Sequence, residues 1–245
     1  MVADAPSPGP RLGFLYPGHS AEDEYPRLGT LVDARPVVEL VHTSVGEDAH
    51  RVDALLDLGG PERLAEGASH LAGRVDAVLW ACTSGSFVFG LDGARRQAAA
   101  VGEALDVPSS STSLAFVAAL RALGATRPAV AATYPPDVVS AFASFLAEAG
   151  TDVVATGAED ILTATEVGTF GRERVRSFVL AGDHPDADVV LVPDTALHTV
   201  EWIDELEATL GKPVLTANQV TMWEALRLVG APHGGQAGLG ALFAL

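Results

Sequence analysis

Residues 78–87 read VLWACTSGSF, and residues 189–199 read VVLVPDTALHT. Each is a short apolar run that ends in a hydroxyl-rich turn. A run of that length and composition, closed by turn formers, predicts a strand buried on both faces. The chain's single cysteine, Cys82, ends the first run, and Asp194 holds the matching place in the second. A thiol and a carboxylate at matched points of a repeated unit predict two groups facing one substrate across a cleft.

The repeat extends outward from these strands. GFLYPG (13–18) is answered by VAATYPPD (130–137), so Tyr16-Pro17 corresponds to Tyr134-Pro135. LDVPSSSTS (105–113) is answered by LGKPVLTAN (210–218), and AALRALGATRP (118–128) by EALRLVGAP (224–232). Cys82 follows Tyr16 by 66 residues and Asp194 follows Tyr134 by 60. A period near half of the chain's 245 residues signals a duplication.

Apolar runs at Arg11–Tyr16, Val37–His42, Val75–Ala81, Ala129–Thr133, Asp152–Ala155, Val189–Val192 and Pro213–Leu215 are read as strands. Helical patterns lie between them, among others at Arg51–Leu71, Leu114–Leu123, Pro136–Ala149, Glu173–Leu180, Thr199–Leu210 and Met222–Val229. Such alternation predicts an α/β fold of two pseudo-symmetric lobes. Each lobe is expected to be a small parallel sheet with helices on both faces, the active site lying in the cleft between them. The first lobe is read as 1–113 plus about 220–245, the second as 114–219, with 1–10 as a loose tail. Ligands of open α/β sheets bind beyond the carboxyl ends of the strands. Tyr16, Cys82, Tyr134 and Asp194 all fall there.

A net charge of −17 argues against nucleic acid and anionic membranes as partners. One cysteine cannot form an internal disulfide, no run reaches the roughly 18 apolar residues of a membrane span, and the first ten residues lack a secretory core. These features predict a cytoplasmic protein. Apolar helix faces of such folds often pair subunits, so a homo-oligomer is a further expectation.

For each candidate residue two readings stand side by side. Cys82 is either a small apolar core residue or a strand-end nucleophile whose neighbouring backbone N–H groups favour the thiolate. Asp194 is either a helix N-cap or, in a dry cleft, an acid/base group. His198, four residues on, either tunes Asp194 or sits half exposed on a helix. The hydroxyls of Thr83, Ser84 and Ser86 either cap a helix or bind a carboxylate and stabilise an enediolate. Tyr134, fixed by Pro135-Pro136, is either an aromatic lid or a carboxylate donor; Thr195 and Ser20 are weaker members of that set. The Glu-Asp-Glu run at 22–24 reads as a solvated face. There is no GxSxG, phosphate loop or HExxH motif, and GQAGLG near the end follows no strand. No metal, nucleotide or flavin is expected.

Taken with GKPVLTANQVTMWEALRLVG at 211–230, these features resemble the aspartate/glutamate/hydantoin racemase superfamily, in its maleate cis–trans isomerase and arylmalonate decarboxylase branch. The resemblance covers nearly the whole chain from Arg11. It implies a cofactor-independent enzyme with one or two cysteines at pseudo-symmetric positions in the cleft. In that family racemases use both cysteines. Maleate isomerases use the first as nucleophile on the double bond, and arylmalonate decarboxylases keep only the second, with glycine at the first. By position Cys82 matches the first cysteine, Thr83, Ser84 and Tyr134 match carboxylate binders, and Ser20 falls near an asparagine of the isomerases. Asp194 replaces the second cysteine, which departs from every branch.

The resemblance implies first an isomerase of a small carboxylic or dicarboxylic acid, in which the Cys82 thiolate adds to an alkene and Asp194 handles the proton. An arylmalonate-type decarboxylase or an amino-acid or hydantoin racemase is the alternative. A non-catalytic small-acid binding protein is the third. A small apolar pocket beside Cys82 would favour an aryl substrate, and a second polar anion site would favour maleate.

Overall fold

The computed structural model describes residues 9–18 and 20–245. The loose-tail reading of residues 1–10 therefore falls mostly outside them, as does His19. The first half of the chain runs β1 (Arg11–Pro17), α1 (Glu24–Leu31), β2 (Val37–Thr43), α2 (Val52–Leu58), α3 (Pro61–Ser69), β3 (Ala77–Trp80), α4 (Ser84–Phe87), α5 (Gly90–Leu105), β4 (Ser109–Ser111) and α6 (Thr112–Leu123). The second runs β5 (Pro128–Ala132), α7 (Pro136–Glu148), β6 (Ala155–Ala158), α8 (Ala164–Val167), α9 (Arg172–Ala181), β7 (Val189–Val192), a 3-10 turn at Val200–Trp202, α10 (Ile203–Leu210), β8 (Val214–Thr216), α11 (Ala217–Leu228) and α12 (Gly240–Phe243).

Two four-stranded sheets result, ordered β2-β1-β3-β4 and β6-β5-β7-β8, and every pairing is parallel. The orders are the same once the second is renumbered, as the duplication requires. The central strands β3, β5 and β7 are buried at every residue, which explains their unbroken apolar runs. In each sheet the chain starts at an inner strand, moves outward, then returns to the other side. That reversal opens a crevice at the carboxyl ends of β1 and β3, and of β5 and β7.

The structure departs from the sequence reading at four places. Arg51–Leu71 is two helices, because Gly59-Gly60-Pro61 breaks the pattern: Gly60 is the N-cap residue of α3 and Pro61 its first residue. β6 begins three residues later than Asp152. β4, Ser-Ser-Ser, is a strand without an apolar signal; its hydroxyls are bound inward, Ser109 Oγ to the Ala98 carbonyl and Ser111 Oγ to Ser86 Oγ. The Glu-Asp-Glu run is not a solvated face throughout, since Glu24 is 3% exposed.

Helices α6 and α11 pack against each other. α6 starts directly after the last strand of the first sheet, with Ser111 Oγ accepting from the Leu114 N–H, and ends at Gly124 in the left-handed region (φ 67°). α11 starts directly after the last strand of the second sheet and packs on α1, β3 and β4 of the first. The largest apolar core draws residues from both halves, among them Phe14, Leu79, Phe116, Phe142, Leu215 and Trp223.

Candidate active site

The two crevices meet in one cavity of about 160 Å³. That is below the usual 300–1,000 Å³ of a drug-sized ligand site, so the occupant has few heavy atoms. Cys82 and Ser84 enter it from beyond β3, and Asp194 and Thr195 from beyond β7. Tyr16 and Pro17 enter from the end of β1 and Ser20 from the segment beyond it. Of the eight residues singled out as catalytic or carboxylate-binding, Cys82, Ser84, Asp194, Thr195 and Ser20 line the cavity; Thr83, Tyr134 and Ser86, whose hydroxyl is bound to those of Ser111 and Ser113, do not. Tyr134 is buried one layer back, its OH donating to the Pro193 carbonyl at 2.7 Å, so it braces the turn that carries Asp194. Thr83 Oγ is buried with no hydrogen-bond partner. Ser20 Oγ donates to the Ala164 carbonyl at 3.3 Å, tying the two halves together at the rim.

Cys82 Sγ accepts the Gly85 N–H at 3.3 Å and lies 3.9 Å from Ser84 Oγ. Burial nevertheless pushes the thiol up to about 12; the Gly85 and Ser84 donors pull it back and the Asp194 charge adds to the rise. The backbone N–H groups do favour the thiolate, as expected, but desolvation is the larger effect and holds the group as the thiol. Asp194 is 4% exposed. One of its oxygens accepts the Ala196 N–H at 2.9 Å and the other accepts the Thr133 hydroxyl. His198 does not face it but pairs with Asp23, Nε2 to carboxylate at 2.8 Å.

The thiol's position has a stability consequence. It titrates near 9 when unfolded and near 12 when folded, so the unfolded chain loses its proton first as pH rises. The stability held below pH 9 is lost at about 1.4 kcal/mol per pH unit between those values. A Cys82→Ala variant should lack that loss. Urea melts of both proteins at pH 8 and 10.5 should show a difference changing by about 2 kcal/mol; a constant difference would contradict the buried, protonated thiol.

Several lining residues carried no periodic signal in the sequence. The segment after β2 supplies Val45, Glu47, Asp48, Ala49 and His50, and α2 supplies Leu55 and Leu58. His50 is 5% exposed, edge-on to the Tyr134 ring at 4.9 Å, with Nδ1 2.9 Å from the Ile161 carbonyl. Since a carbonyl only accepts, Nδ1 carries a proton. Asp48 accepts from the Ala164 and Thr165 N–H groups and the Thr165 hydroxyl (2.6–3.1 Å), which hold its carboxyl below the usual range against the opposing effect of burial. The cavity's wall is thus apolar at Val45, Leu55 and Leu58, and no Lys or Arg is among its lining residues. Among the described residues no cluster of three or more His, Cys, Asp or Glu could hold a metal ion, and no helix is long and apolar enough to cross a membrane.

Comparison with known proteins gives the chain's family and fold relatives. The arylmalonate decarboxylase family model matches residues 59–243. Arylmalonate decarboxylase of Bordetella bronchiseptica is 34% identical over 151 residues, an alignment that spans 59% of this chain and 61% of that protein. A liganded double mutant of arylmalonate decarboxylase superposes with a TM-score of 0.85 at 26% identity, covering 96% of this chain and 99% of the other. The maleate cis–trans isomerase of Nocardia farcinica, holding a covalently bound succinylcysteine intermediate, superposes with a TM-score of 0.86 at 22% identity, covering 96% and 98%. The second of these structures speaks for the shared fold, whereas the family model covers most of the chain. The chain belongs to the arylmalonate decarboxylase family.

Proposed function

We propose that the protein is a cofactor-independent decarboxylase of a small malonate-type diacid bearing an apolar substituent, with Cys82 as the proton donor. The observation that carries this is the wall beside the thiol. Val45, Leu55 and Leu58 offer a surface for an apolar group. The Ser84 and Thr195 hydroxyls hold the retained carboxylate. The C–C bond to the other carboxylate breaks, its electron pair stays on the α-carbon as an enediolate, and CO₂ leaves. Cys82 then gives its Sγ–H proton to that carbon, and water returns a proton to sulfur. Asp194 faces the cavity from the other half, and its charge raises the thiol's proton affinity, which keeps Cys82 an acid. Orientation by two fixed turns supplies much of the acceleration.

Cis–trans isomerisation of maleate is the second reading. It is supported by Cys82 standing at the place of the isomerases' first cysteine, and by the covalent succinylcysteine seen in the Nocardia relative. It requires the thiolate as nucleophile, which burial opposes.

The test is incubation in D₂O with phenylmalonate, maleate, aspartate, glutamate and a hydantoin, followed by proton NMR and repeated with Cys82→Ala. The expected result is CO₂ and α-deuterated phenylacetate, lost in the variant. Fumarate from maleate would replace this reading with the isomerase. α-Deuterium exchange in an amino acid or hydantoin would replace it with a racemase. Turnover of none would point to a binding protein.

A further inference from the structure

Gln97 lies on α5, behind the turn that carries the thiol and outside the cavity lining. Its carboxamide Nε2 donates to two carbonyls at once, Gly85 O and Gly59 O, each at 2.8 Å. Gly85 is the residue whose N–H points at Cys82 Sγ, and Gly59 caps α2, whose Leu55 and Leu58 form the apolar wall. The Trp80 indole N–H donates to the same Gly85 carbonyl at 3.2 Å. The junction is tight. A Cβ on Gly85 would stand 3.1 Å from Cys82 Sγ, and one on Gly59 would stand 2.0 Å from the Gly85 carbonyl oxygen. The backbones of the thiol turn and of the wall helix therefore touch directly, and one carboxamide joins them.

We infer that Gln97 is a positioning residue: by holding Gly85 and Gly59 in one clasp it aims the Gly85 N–H at the Cys82 sulfur and fixes the thiol against its apolar wall. This assigns to α5 a part in the chemistry although it touches no substrate. It deepens the reading of the cavity as the reacting site, but it is tested without any substrate. A hydrogen bond to sulfur stabilises the thiolate more than the thiol. Loss of the clasp therefore lowers the thiolate fraction at a given pH.

The chain has one cysteine, so alkylation by iodoacetamide reads Cys82 alone, with Cys82→Ala as the blank. Gln97→Met keeps an unbranched side chain of similar length without the donor. Gln97→Glu keeps the shape and puts an acceptor against the two carbonyls. Rates are taken from pH 8 to 10 beside urea melts, and the more stable variant is scored. The expected result is a threefold or larger slowing at every pH, with the pH slope retained. Simple loosening of the packing would expose the sulfur and speed the reaction. An unchanged or faster rate, whatever happens to stability, would overturn the proposal and leave Gln97 a structural brace. Since no substrate is used, that outcome is independent of whether phenylmalonate is turned over.

Discussion

Replacing Cys82 with alanine should lower kcat for decarboxylation of phenylmalonate by about 10²–10⁴-fold, the usual worth of a positioned general acid. KM should change little, because Ser84 and Thr195 remain in the cavity to hold the retained carboxylate. The reason lies in the surroundings. The sulfur is the only thiol in the chain, is 4% exposed, and sits in a cavity that admits few solvent molecules. On the proposed mechanism the enediolate would then wait for water. The wild-type rate should also show no descending limb from the Cys82 thiol between pH 6 and 9, since burial holds that group protonated up to about 12. Steady-state kinetics on both proteins across that range check both statements. A variant retaining more than a tenth of the wild-type kcat would remove Cys82 from the reaction.

Glu24→Ala should be among the most destabilising single substitutions in the chain, at about 3 kcal/mol or more. Its carboxylate accepts the Thr199 and Val200 N–H groups at 2.6 and 2.8 Å, and the Asn218 side-chain amide at 2.8 Å. Alanine strands the two buried backbone donors, each worth about 1–3 kcal/mol when left unpaired, and removes the shortest partner of the Asn218 amide. The same amide of Asn218 also reaches the Thr195 carbonyl at 3.2 Å, and Tyr25 OH donates to its oxygen at 3.0 Å. Glu24 thus sits on α1 of the first half and holds the segment that follows Asp194 in the second. Glu24→Gln keeps an acceptor and should cost less. Burial raises the Glu24 carboxyl above its ordinary value despite these bonds. Its contribution is then fullest below the ordinary carboxyl range and declines as pH rises through the folded value. The Gln variant should accordingly lose less, relative to wild type, at pH 8 than at pH 4. Urea melts with an unchanged slope are the measurement; a loss under 1 kcal/mol for Glu24→Ala would contradict the network.

Much of this architecture is written in local pattern, and the exceptions are instructive. β3, β5 and β7 are visible because a strand buried on both faces must be apolar at every position. Tyr16, Cys82 and Asp194 are visible as cleft residues because a parallel strand delivers whatever follows it to one edge. β4 is hidden, since its serines are satisfied only by partners brought near in space, such as Ser86 and the Ala98 carbonyl. α5 has a weaker helical pattern, interrupted by Gly93 and Gly102, although the space at Gly102 is taken by the Ser109 side chain. Glu24 looked like surface because a charged triplet usually is, and nothing nearby in the chain announces donors 175 residues away. The cavity wall at Val45–His50 comes from an irregular loop, which no periodicity can reveal. The thiol's protonation depends on the balance of burial against two donors, and a sequence holds only the donors.

The position of α11 bears on how the molecule comes into being. The helix after the second half's last strand, α11, packs on α1, β3 and β4 of the first half as well as on its own β8. A ribosome that has released only residues 1–113 has therefore made a sheet whose covering helix α11 does not yet exist. Thermal unfolding of the intact protein should therefore show one transition shared by the two repeats. A change in either copy's strand-end turn then leaves the α6–α11 contact between the copies in place.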